Sequence, residues 1–125
     1  MDKSATALVA DDHEAARRLA AKFLERLGYG TVLQAEHGAE AVSLYREHAG
    51  EIALVLLDLR MPVMGGAEAL RGIVALDPGA RVLMWSGDAT DEEVAELLAA
   101  GAVVFLQKPV TFERLSEVLG EILRG

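Results

Sequence analysis

The chain has 125 residues, 52 % of them hydrophobic, with 20 acidic against 12 basic side chains, a net charge of −8 and no cysteine. That length predicts one domain spanning residues 1–125 with a core of its own, and the missing cysteine excludes disulfides, thiolate catalysis and Cys-ligated zinc, leaving the cytoplasm as the default compartment. The acidic excess argues against nucleic acid or an anionic membrane as a direct partner; no run approaches the roughly 18 apolar residues of a membrane span, and Met1-Asp2-Lys3-Ser4 lacks the apolar stretch of a signal peptide.

Ala5–Ala10 predicts a short apolar strand, ended by Asp11-Asp12. Ala16, Leu19, Ala20, Phe23, Leu24 and Leu27 then recur at helical spacing, and Gly28 and Gly30 stop that helix. Thr31–Ala35 predicts a second strand, and Ala41, Leu44 and Tyr45 mark a second helix after His37-Gly38. Ile52–Leu57 is a continuous apolar run, as expected of a central strand buried on both faces of a parallel sheet. It ends in the single carboxylate Asp58, before Pro62 and Gly65-Gly66 turn the chain into a helix carrying Leu70, Ile73 and Val74. Asp77-Pro78-Gly79 is a turn. Arg81–Trp85 predicts the fourth strand, followed by Ser86-Gly87-Asp88. Thr90 and Glu93 have the spacing of a capping box for a helix with Val94, Leu97 and Leu98. Val103–Leu106 is the fifth strand, closed by Lys108-Pro109, and Thr111 is placed to cap a last helix with Phe112, Leu115, Leu119 and Ile122.

Strict βα alternation, five times over, predicts an α/β fold with a parallel sheet covered by helices on both faces. In such a sheet the carboxyl ends of the strands share one edge, where sites form. That edge collects Asp11 and Asp12, Asp58, Ser86 and Lys108. Three carboxylates close together repel unless a cation joins them, and carboxylates with water suit Mg2+. With a lysine ammonium and a hydroxyl beside them, the set has the parts of a phosphoryl-transfer site, Asp58 being the nucleophile. Asp58 alone would also read as a turn-forming aspartate, and Asp11-Asp12 as a cap of the first helix. His13, His37 and His48 lack the spacing of metal ligands, with His13 at the rim of the acidic pair. Asp91-Glu92-Glu93 reads as a solvated helix face.

Asp11-Asp12, the run Leu57-Asp58-Leu59-Arg60-Met61-Pro62-Val63-Met64-Gly65-Gly66, Ser86, Ala100-Gly101-Ala102 and Phe105-Leu106-Gln107-Lys108-Pro109 together resemble the receiver domains of two-component response regulators. The resemblance spans nearly the whole chain. It implies a doubly wound (βα)5 flavodoxin-like fold with strand order 2-1-3-4-5. It implies Asp58 as acceptor of a phosphoryl group from a histidine kinase or histidine phosphotransfer protein. Mg2+ would be held by Asp12, Asp58 and the backbone carbonyl of Arg60, with Asp11 acting through water. Ser86 and Lys108 would bind the phosphoryl oxygens, Phe105 would serve as an aromatic switch, and a cis peptide would precede Pro109. Such a domain is a switch rather than an enzyme, assisting only its own phosphotransfer and dephosphorylation.

Three features depart from the common pattern: Gly65 in place of a polar residue, Ser86 in place of threonine, and the long, charged Arg60 two positions after Asp58. Arg60 is expected to pair with Asp88 across the mouth of the site. Ser86-Gly87 and Leu106–Thr111 are similar to receivers at the C-terminus of hybrid sensor kinases, and the chain ends at Gly125 with no effector expected. A monomer or weak dimer is expected, since Asp91–Gly101 offers no basic residues for pairing through the last helices. A receiver-like interaction module that is never phosphorylated is the alternative. An aspartyl phosphatase would need a second aspartate where Arg60 stands.

Overall fold

The computed structural model describes residues 5–124; the segment Met1–Ser4 lies outside them. Five strands alternate with five helices: β1 (Thr6–Ala10), α1 (Glu14–Arg26), β2 (Thr31–Ala35), α2 (Gly38–Glu47), β3 (Ile52–Asp58), α3 (Gly66–Leu76), β4 (Val82–Ser86), α4 (Asp91–Ala99), β5 (Val104–Gln107) and α5 (Phe112–Arg124). All strand pairs are parallel, in the order β2-β1-β3-β4-β5.

The side-chain alternation of the strands builds two cores. Leu8, Ala10, Val55, Leu57, Val82 and Met84 face one side, packed against Ala41 and Tyr45 of α2, Leu70 and Ile73 of α3 and Leu97 of α4. Ala7, Val9, Leu54, Leu56, Leu83 and Trp85 face the other, against Leu24 of α1 and Leu115 and Leu119 of α5. β1, β4 and the Leu54–Asp58 part of β3 are therefore buried on both faces, which is why they read as unbroken apolar runs.

The ladder extends slightly beyond the apolar runs. Asp58 pairs with Trp85, and Ser86 with Gln107, so both polar residues are the last members of their strands. Hydrophobicity marks where a strand is buried; hydrogen bonding marks where it ends.

Caps follow side-chain chemistry. Thr90 and Glu93 form the expected capping box, and Thr111 Oγ1 accepts the Arg114 amide at 3.0 Å. Neither aspartate caps α1. The Asp11 carboxylate instead accepts the His13 amide at 2.9 Å, and His13 becomes the N-cap residue without a side-chain bond. Leu19 and Leu98, expected in the core stripes, stay 52 % and 45 % exposed. Leu19 lines an apolar groove of about 340 Å³ with Phe23, Pro109 and Val110.

The strand order places the topological switch point between β1 and β3, since β1 continues to β2 on one side while β3 lies on the other. Gly66 closes the chain tightly there: its amide bonds Leu59 O at 2.9 Å, and a Cβ at this position would run into the Asp58 carbonyl and lie 2.8 Å from Leu59 Cα.

Candidate functional site

Asp11 leaves the end of β1 fully buried. Its amide donates to Ala35 O at 3.1 Å, and its carbonyl accepts from Arg17 Nη1 at 3.1 Å. Its Oδ1 accepts the His13 amide, and its Oδ2 accepts Lys108 Nζ at 2.8 Å. Asp58, at the tip of β3, is 2 % exposed, with Oδ1 3.3 Å from the same Lys108 Nζ. Asp12 lies beside them, more open to water. One ligating atom each from Asp11, Asp12, His13 and Asp58 lie within 4.8 Å of one another. Lys108 follows β5, so its ammonium crosses the end of β4 to reach β1 and β3. The Lys108–Pro109 peptide is cis.

Burial, more than any single charge, raises the Asp58 carboxyl to about 6; neighbouring Asp11 adds to the rise and Lys108 opposes it. Burial alone would lower the Lys108 ammonium, but its bonds to Asp11 and the charge of Asp58 outweigh that and raise it. One ammonium thus faces three carboxylates, and the pocket has an uncompensated negative charge. Oxygen donors this close and this charged fit a small divalent cation.

Ser86 is buried at the end of β4, and its hydroxyl is engaged by Asp88: Oγ donates to Asp88 Oδ1 at 2.9 Å and accepts the Asp88 amide at 3.3 Å. The same Asp88 oxygen accepts Arg60 Nε at 3.2 Å, the pair expected from the sequence. Arg60 does more than that. Its two terminal nitrogens each bond a Glu93 oxygen at 2.7 Å, tying the loop after β3 to the first turn of α4. The Arg60 bonds, then the Thr90 amide, hold the Glu93 carboxyl down to about 2, while the Ser86 hydroxyl and then Arg60 lower Asp88. Glu93 is therefore more than a solvated helix face; the fork of Arg60 opposite the capping-box glutamate was the available signal.

Two more residues join the site: Arg17, which the sequence did not single out, and His13, expected only at its rim. Arg17 is buried and spans Asp11 O and Gln34 Oε1, the latter at 3.1 Å. His13 lies against the acidic pair, its Nδ1 3.4 Å from both Asp11 Oδ1 and Asp12 Oδ1. Phe105 is half-buried on β5, packed against the core that contains Met84 and Leu97. Trp85 points away from Ser86 into the opposite core, as alternation requires, yet Lys108 Nζ sits 4.5 Å from its ring centroid. Its Nε1 is the one buried side-chain polar atom among the described residues without a hydrogen-bond partner.

Fold and site together define a doubly wound α/β domain with an acidic pocket at its switch point, where a buried carboxylate meets a single ammonium. The chain belongs to the response regulator receiver domain family, whose profile matches residues 7–120, the phosphoacceptor domains of two-component signalling. It is 35 % identical to the chemotaxis protein CheY of Bacillus subtilis over 116 residues, covering 93 % of this chain and 95 % of that one. It is 36 % identical to the autoinducer 1 sensor kinase/phosphatase LuxN of Vibrio campbellii over 98 % of its own length, but spans only 14 % of that protein. Among solved structures, a chain of the CheX–CheY–BeF3–Mg2+ complex of Borrelia burgdorferi superposes with a TM-score of 0.91 at 28 % identity, covering 95 % of this chain and 89 % of that one. No helix among the described residues is long and apolar enough to cross a membrane.

Two outcomes follow from the charge balance. Folded Asp58 keeps its proton up to about pH 6, whereas an ordinary aspartate loses it near 3.8. The folded state therefore binds the extra proton between those values, and ionising Asp58 costs stability as the pH rises through that window. In chelator, Asp58→Asn should stabilise the protein at pH 7 by about 1–2 kcal/mol, an advantage that disappears below pH 4; denaturant melts at the two pH values measure it. Because the Lys108 ammonium rests over the Trp85 ring, beryllofluoride with Mg2+ should change Trp85 emission by drawing Lys108 away; a flat titration would contradict this.

Proposed function

We propose that Asp58 is the phosphoacceptor of a single receiver domain, residues 1–125, and takes its phosphoryl group from a histidine kinase or histidine phosphotransfer protein. The observation that carries this reading is the convergence of Asp11, Asp12 and Asp58 with Lys108 at one sheet edge. Mg2+ fits the pocket by donor type and charge, with Asp12, Asp58 and the Arg60 carbonyl as ligands and Asp11, already engaged by Lys108 and the His13 amide, acting through water. When bound, the ion supplies positive charge against the transferred phosphoryl oxygens.

A carboxylate oxygen of Asp58 attacks phosphorus. A P–O bond forms as the P–N bond to the donor imidazole breaks, and the imidazole leaves with the bonding pair. Lys108 exchanges its contact with Asp58 for a phosphoryl oxygen. Ser86 Oγ exchanges Asp88 for another, and Phe105 turns inward as the Ser86 loop moves. The phosphoryl group thereby favours one of two packings of that loop, α4 and β5. The domain works as a switch and assists only its own phosphorylation and dephosphorylation. It acts in the cytoplasm as a monomer or weak dimer, with no nucleic acid or membrane as direct partner. Its 36 % identity to part of LuxN supports an origin within, or close to, the receivers of hybrid sensor kinases.

Incubation with acetyl phosphate and Mg2+ should add one phosphoryl group to the wild-type chain and none to Asp58→Asn, read by intact-protein mass. Equal labelling of the variant would move the acceptor elsewhere; no labelling of either would leave an interaction module. Arg60 and its partners span the mouth of the site, so Arg60→Ala should admit water and shorten the half-life of the phosphorylated form. An unchanged decay would remove Arg60 from any gating role.

A further inference from the structure

We propose that His13 is a fourth donor to the acidic pocket and makes it a site for borderline transition ions such as Zn2+ and Co2+ as well as Mg2+. This rests on the reading of Asp11, Asp12 and Asp58 as a metal pocket.

The three histidines are used differently. His37 is the N-cap of α2, and its Nδ1 accepts the Glu40 amide at 3.1 Å, so its ring has a structural task. His48 faces Glu51, with Nδ1 3.6 Å from the carboxylate. His13 holds the equivalent N-cap position on α1, but its ring makes no cap bond. Its Nδ1 stands instead 3.4 Å from a carboxylate oxygen of Asp11 and 3.4 Å from one of Asp12. The backbone sets this placement: the Asp11 carboxylate takes the His13 amide, which folds the chain back so that the ring lies over the acidic pair.

Two of the spacings, from His13 Nδ1 to Asp11 and to Asp12, suit a shared ion, and the four donor atoms together lie within 4.8 Å of one another. Ligands at about 2.0–2.1 Å from a tetrahedral zinc stand about 3.3–3.4 Å from one another. Neighbouring oxygens around an octahedral magnesium at similar bond lengths stand about 2.9 Å apart. The chemistry points the same way. Carboxylate and water suit Mg2+, whereas an imidazole nitrogen adds selectivity for zinc, cobalt and nickel. The His13 side chain is 73 % exposed, so little packing opposes its turning onto an ion. As a neutral ligand it would add a donor without adding to the negative charge that three carboxylates already bring.

His13 should therefore show in the difference between two ions. In calorimetric titrations of the intact chain with Mg2+ and with Co2+, His13→Ala should weaken Co2+ binding by about tenfold or more and Mg2+ binding by much less, since Mg2+ prefers the carboxylate oxygens that remain. Retained Mg2+ binding also shows that the variant is folded. In the wild-type protein, Zn2+ should shift the ring nitrogen resonances of His13 and leave those of His37 and His48 unmoved. If Mg2+ binds and His13→Ala holds Co2+ as tightly as the wild type, or if Zn2+ leaves the His13 ring unshifted, the role of His13 is overturned. If neither ion binds the wild-type chain, the metal-pocket reading itself fails.

Discussion

The rest of the molecule depends on one ammonium. Lys108 Nζ lies 2.8 Å from Asp11 and 3.3 Å from Asp58, both carboxylates almost wholly buried. Two buried anions with no cation between them would be intolerable, and removing the one ammonium they share costs about 3–5 kcal/mol. The lysine reaches them only because β5 lies next to β4 and the chain passes the sheet edge as it leaves the strand. The strand order, the length of β5 and the position of Lys108 are thus parts of one electrostatic requirement. The requirement is only partly met. With Asp12 also at hand, one positive charge faces three negative ones, and the raised Asp58 carboxyl is the physical sign of the deficit. A pocket built this way is unfavourable in isolation and is relieved by positive charge from outside.

Most of the fold was legible because its signals are local. Unbroken apolar runs over Ala7–Ala10, Leu54–Leu57 and Val82–Trp85 identify central strands, and the Thr90–Glu93 spacing identifies a helix start. Strand ends were legible to within one residue, and the misses at Asp58 and Ser86 share a cause: the ladder continues into polar residues. The convergence of Asp11, Asp12, Asp58 and Lys108 was legible through topology, because parallel strands must end at a common edge; Ser86 ends β4 at that edge, but its hydroxyl is turned to Asp88. Residues that enter the site from helices were not. Arg17 comes from one turn inside α1 and Glu93 from the first turn of α4, and neither position can be placed against the pocket until helix rotation is known. His13 was read as a rim residue; its approach to both carboxylates comes from a two-residue backbone turn that periodicity does not encode.

Ser86, Asp88, Arg60 and Glu93 form a continuous chain of bonds from the inside of the site to the first turn of α4. Each link uses an atom that an adjacent link also uses. Asp88 Oδ1 serves both Ser86 and Arg60, and Glu93 Oε1 serves both Arg60 and the Thr90 amide that opens the helix. Such a chain resists partial change: losing one member leaves a neighbour with an unmet charge or donor. On the proposed function, a phosphoryl group on Asp58 competes with Asp88 for the Ser86 hydroxyl. Asp88 would then have only Arg60 as a side-chain partner, and the position of Arg60 is fixed by Glu93. Release of Ser86 and a shift at the start of α4 are therefore coupled by geometry, with no separate messenger between site and helix. The energetic condition is that the phosphoryl oxygens outbid a single exposed carboxylate for one hydroxyl. A dianionic acceptor held at a buried site beside Lys108 meets that condition more easily than a solvated Asp88, already shared with Arg60, resists it.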